Sequence, residues 1–252
     1  MMRAGVTMAL MLAYGAARAD GLADLKSALA KATGSTPLKV QIDTRTWRKQ
    51  GEGKDADEET SQASLALEES ARGLSVTHSR QTMARIEAEM SAKAKNPNSK
   101  TPTLSALADV DMRDMLAMTS PANALTRRIE RDAFKGERAE TYQGKPARVL
   151  TFEAPISSLS DRERKYAKKF LSVLEVWIGA DGMPLASRAR TTISGRAFVV
   201  VSFEASDQED KVFSAVGDHL LVTRKESHNN SAGAGEKEER KVVTTLQVQS
   251  AT

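Results

Sequence analysis

The chain has 252 residues, 40% of them hydrophobic and only 4% aromatic, with 37 Lys+Arg against 33 Asp+Glu and no cysteine. The missing cysteines exclude disulfides, thiol nucleophiles and thiolate metal sites. The near-balanced charge and scarce aromatics give no footprint for nucleic acid. Removing Arg3 and Arg18 from the 37 cations leaves 35 against 33 acids, and these charges alternate along the chain as on solvated strand faces.

Residues 1–19 read as a secretory signal peptide. Arg3 supplies the charged start, residues 4–16 a short apolar run, and Ala17-Arg18-Ala19 a cleavage site. The expected mature chain, 20–252, is a single soluble domain in the periplasm. No later run is long and apolar enough to span a bilayer, so a membrane-spanning chain is not expected.

Leu22, Leu25 and Leu29 predict a helix over 21–32, stopped by Gly34. In LKVQIDTRTWRKQ the apolar residues Leu38, Val40 and Ile42 alternate with polar ones, as on a half-buried strand. GEGKDADEET reads as a hairpin loop, and SQASLALEES and GLSVTHS as two further strands. From Arg80 the period changes. Met83, Ile86 and Met90 share one helical face, and Leu104, Leu107, Met112, Met115 and Leu116 share another, giving a helical insertion over about 80–120 that Pro121 closes.

Residues 127–142 are expected to form one long strand. A turn at Gln143-Gly144-Lys145-Pro146 leads to the returning strand ARVLTFEAP. Ser160 and Glu163 have capping-box spacing in a charged connection. LSVLEVWIG, LASRARTTIS, RAFVVVSFEAS, DHLLVTRKES and KVVTTLQVQ complete the strands, with an acidic turn at 207–210 and a flexible polar loop at about 227–239. The fold class is α+β, mainly antiparallel β, because short connections without strand–helix alternation argue against a parallel sheet.

No catalytic constellation is present. His78, His219 and His228 have no zinc spacing, and neither a nucleophile elbow nor a phosphate loop occurs. The cluster Asp207, Glu209 and Asp210 lacks the spaced oxygen ligands and central glycine of a calcium loop. No enzyme, metal or cofactor is implied. Five of the ten methionines, at 83, 90, 112, 115 and 118, fall in the helical insertion. A flexible Met-rich face serves either as an adaptable lid, with Met83, Met90, Met112 and Met115 as candidates, or as packing between helices and sheet.

Two hairpins carry a resemblance. Tyr142, Gly144, Lys145, Val149, Leu150 and Phe152 precede Val176, Trp177, Ile178, Gly182, Pro184 and Leu185. In this order, after an export signal and a helical segment, they resemble the outer-membrane lipoprotein-sorting (LolA/LolB-like) periplasmic carriers. The match covers mainly residues 120–205. The resemblance implies an incomplete, half-open β-barrel, a strongly curved sheet with helices covering its concave face. It also implies a non-enzymatic role in cell-envelope transport, with a lipid, acyl chain or lipoprotein held in an apolar cavity. The alternative is a periplasmic sensor or interaction module that binds another envelope protein without lipid. Candidate lining residues, each on the more apolar face of its strand, are Val40, Ile42, Leu150, Phe152, Val176, Ile178, Val201 and Phe203; all equally suit a dry core.

Overall fold

A computed structural model describes residues 20–70, 73–197 and 201–249. The proposed signal peptide lies outside the described residues. The elements run α1 (Gly21–Lys31), β1 (Leu38–Gln50), β2 (Asp57–Ser70), β3 (Gly73–Thr77), α2 (Arg80–Lys95), α3 (Pro102–Ala108), α4 (Met112–Thr119), α5 (Pro121–Arg131), β4 (Ala133–Tyr142) and β5 (Lys145–Glu153). They continue with α6 (Asp161–Tyr166), β6 (Ala167–Ile178), β7 (Pro184–Ala197), β8 (Val201–Val216), β9 (His219–Gly233) and β10 (Glu236–Val248).

The strands form one ten-stranded sheet in the order β3-β2-β1-β10-β9-β8-β7-β6-β5-β4, and every pairing is antiparallel. The first long strand pairs with the last, Ile42 opposite Leu246. Strands β3 and β4 therefore lie at opposite edges. They are neighbouring strands in sequence, separated by α2–α5, so the helices carry the chain from one edge of the sheet to the other.

Local chemistry sets the helix starts. The Asp20 carboxylate accepts the backbone N–H groups of Leu22 and Ala23 at 3.1 and 3.2 Å, a side-chain cap for α1. The capping box expected at Ser160 and Glu163 is formed at the start of α6. Gly182 turns β6 into β7 at φ 81°, and a Cβ there would sit 2.6 Å from the Asp24 carbonyl oxygen. Glycine is needed both for the backbone angle and for the close seat of α1.

The two sheet faces differ. On one, Val40, Ile42, Leu67, Leu150, Phe152, Val176 and Ile178 are buried and share a cluster with Leu25 and Leu29 of α1, Met115 and Met118 of α4, and Leu125 and Ile129 of α5. Each such side chain contributes about 1.5–3 kcal/mol of burial. On the other face Trp177 packs with Ala147, Val149 and Ala186. Its indole N–H donates to Glu140 at 3.2 Å, and the Arg188 guanidinium stands 5.9 Å from the ring.

Four expectations are corrected. The strand over 127–142 is instead α5 followed by β4, because Pro121 opens a helix on which Ala122, Leu125 and Ile129 share one buried face. The helix expected across 104–116 is two, α3 and α4, with Asp111 capping the second. The acidic turn at 207–210 is mid-strand in β8, and the flexible loop at 227–239 is the ordered β9–β10 hairpin, turned at Ala234-Gly235. The polar residues there alternate on a strand pair rather than filling a loop.

Candidate functional site

Six of the eight expected lining residues are brought together. Val40, Leu150, Phe152 and Val176 are fully buried, with Ile42 at 1% and Ile178 at 0% exposure, all facing the helices. Val201 and Phe203 are half-buried and belong to neither apolar cluster. Phe203 instead lies across from Gly195 and Gly233, whose missing side chains leave room for its ring. Of the four lid candidates only Met115 enters the core. Met83, Met90 and Met112 are 44, 59 and 50% exposed. Met118, outside that set, is 1% exposed and belongs to the same core; its helical position three residues from Met115 was the available signal.

The apolar face ends in a charged strip that the sequence reading did not identify. Along β8 and β9 the residues Asp207, Glu209, Lys211, Lys225 and Asn229 follow, across the registers Lys211–Lys225 and Asp207–Asn229, the side of the sheet that carries Ala189. Lys225 Nζ lies 2.6 Å from Asp114 Oδ1 of α4 and 3.6 Å from Glu209. Lys211 bonds Glu209 at 2.7 Å, and the Asn229 amide donates to Asp207.

Burial works against the Lys225 ammonium, yet Asp114 and Glu209 outweigh it and hold its pKa above the ordinary lysine value. Burial likewise opposes the Glu209 carboxylate, but Lys211 and Lys225 bring its pKa below the usual one. Burial and the adjacent Glu209 charge push Asp207 up. Further out, Asp109 after α3 pairs with Arg240 of β10 and accepts the Thr46 hydroxyl of β1. Acidic groups on the helix layer are thus matched to cations on the sheet.

Surface hollows among the described residues are defined almost entirely by other residues. One of about 950 Å³ lies over the ends of β6–β10, where Lys49, Lys169 and Lys237 meet Glu52, Glu204 and Glu239. A second, about 1030 Å³, spans β1, β2 and the start of α2. A third, about 660 Å³, runs along α4 and α5 beside Met112, Leu116, Arg113 and Arg127. Of the twelve expected lining and lid residues only Met112 borders one of these hollows.

Among the described residues no three His, Asp or Glu side chains gather as a metal-binding group, and no helix is long and apolar enough to cross a membrane. No family model matches the chain, and no curated protein or solved structure is significantly similar to it.

Proposed function

We propose that this chain is a non-enzymatic periplasmic binding protein that holds a lipid, an acyl chain or the acyl chains of a lipoprotein between its sheet and its helices. The observation that carries this reading is the apolar face of the open sheet, packed against short helices that run between the two sheet edges. The sheet is read as a half-open barrel, with α1 and α3–α5 over its concave face. The order of the Tyr142–Phe152 and Val176–Leu185 hairpins, similar to the lipoprotein-sorting carriers, supports membership of that group.

In this reading the apolar layer closes on itself when empty and admits the acyl chain as α4 and α5 move outward. The hinges are the short links at 109–111 and at Ser120, and the contact to be broken is Lys225–Asp114. Met115 and Met118 repack against the guest because their unbranched thioether chains adapt to varied shapes. Acyl surface taken from water supplies about 25 cal/mol per Å². The charged strip of Lys211, Lys225 and Glu209 borders this layer and offers polar partners to a headgroup.

Native mass spectrometry of the chain recovered from a periplasm tests the proposal. A lipid adduct at one per chain supports it. An adduct-free protein that also takes up no added palmitoyl lysophospholipid overturns it. A second reading, a module that binds an envelope protein without lipid, is favoured by Met112 and Leu116, 50 and 46% exposed beside Arg113 and Arg127. An adduct-free chain that captures a protein through this patch would favour it.

A further inference from the structure

The second hollow lies mainly on the sheet face opposite the apolar layer. Asp43 and Arg45 alternate with the buried Ile42 and Thr44, and their side chains therefore emerge on the other side. Three arginines from three separate elements border it: Arg45 of β1, Arg85 of α2 and Arg224 of β9. Among the described residues Asp43 is the one carboxylate that lines it, and that group is already engaged. It accepts the Ser64 hydroxyl and the Gln41 amide, the latter at 3.2 Å.

Arg224 pairs with Glu226 at 2.5 Å, while among the described residues Arg45 and Arg85 form no ion pair. Directly across the sheet, Arg45 faces Val243 and Gln62, neither acidic. The first turn of α2 carries no acidic residue, and its capped start at Ser79 borders the same hollow, so the positive end of the helix adds to the field.

We infer that this hollow is an anion site that takes a phosphate group. Guanidinium forks match phosphate oxygens two at a time, and cations approaching from several sides suit a dianion better than a single carboxylate. The volume of about 1030 Å³ leaves room for the body of the molecule that carries the phosphate. The inference stands apart from the acyl-chain reading, because it uses different residues, mainly on the other face. The phosphate belongs either to a small soluble molecule or to a lipid headgroup.

Calorimetric titration with inorganic phosphate and glycerol 3-phosphate, beside co-sedimentation with phosphatidic acid vesicles, distinguishes these sources. The chain binds at least one of the three, and the double variant Arg45→Gln/Arg85→Gln binds it at least about tenfold more weakly. Binding of the soluble phosphates assigns the site to a soluble ligand; binding of the vesicles alone assigns it to a headgroup. All of these side chains are exposed, so the variant keeps the unfolding midpoint of the parent; should it not, Arg224→Gln replaces it. Lys93→Gln/Lys95→Gln, which removes equal charge at the far end of α2, leaves binding unchanged. No binding in any arm, equal binding by the arginine variant, or an equal loss in the lysine variant overturns the inference.

Discussion

The Lys225 ammonium of β9 lies 2.6 Å from the Asp114 carboxylate of α4, so one ion pair ties the helical layer to the charged end of the sheet's apolar face. The lysine is 16% exposed, and its partners Asp114 and Glu209 are 34 and 23% exposed. Replacing it with alanine leaves Asp114 without its cation and Glu209 with Lys211 alone, and costs about 1–3 kcal/mol. Hydrogen exchange measured on Lys225→Ala shows faster exchange over 112–119 than in the parent, with α1 unchanged.

Depth of burial separates the apolar residues. Phe152 is 0% exposed and packs among helices and strands, so Phe152→Ala lowers stability by about 3–5 kcal/mol. Met112 is 50% exposed, and Met112→Ala stays within about 0.5 kcal/mol. Urea unfolding of the two variants checks the contrast.

Gly195 of β7 sits under both Tyr166 and Phe203. A Cβ there would lie 2.1 Å from the Tyr166 carbonyl oxygen and 2.8 Å from the Phe203 ring. Backbone cannot yield as a flexible side chain does, so Gly195→Ala costs about 1–3 kcal/mol. Thermal unfolding reads the loss, and Phe203→Leu, which removes the ring, recovers part of it.

The charged strip sets a pH dependence. Glu209 has a folded pKa below its ordinary 4.5, so its ionised form favours folding. That contribution is present above pH 4.5 and is lost as pH falls through the folded value. Asp207, with its pKa raised, works the other way and gains stability on protonation. In Glu209→Gln the acid-side loss is shallower, and the Asp207 pKa falls because the neighbouring negative charge is gone. Carboxyl-carbon NMR titration of both proteins measures the two effects.

Helix α1 and most strands were legible because their apolar residues repeat at a period of 3.6 or 2. Helix α5 was hidden because Arg127, Arg128, Glu130 and Arg131 leave only Ala122, Leu125 and Ile129 to mark a buried face. The middle of β8 was hidden for a different reason. Its acidic residues are answered by Lys225, Arg188 and Asn229 on neighbouring strands, partners that sequence spacing alone does not bring together. The six apolar residues facing the helices could be found by alternation. The charged strip beside them and the arginine-lined hollow depend on cross-strand registers and on helix–sheet contacts such as Asp114 with Lys225, which sequence spacing does not bring together.

The most direct test of the central proposal is photolabelling with a palmitoyl chain carrying a terminal diazirine, mapped by peptide mass spectrometry. The account predicts labels on Ile42, Val176, Met115 or Met118, competed away by unlabelled palmitate and increased in Lys225→Ala. Labels confined to Met112 and Leu116 on the outer side of α4, or no labels that palmitate competes away, would contradict it.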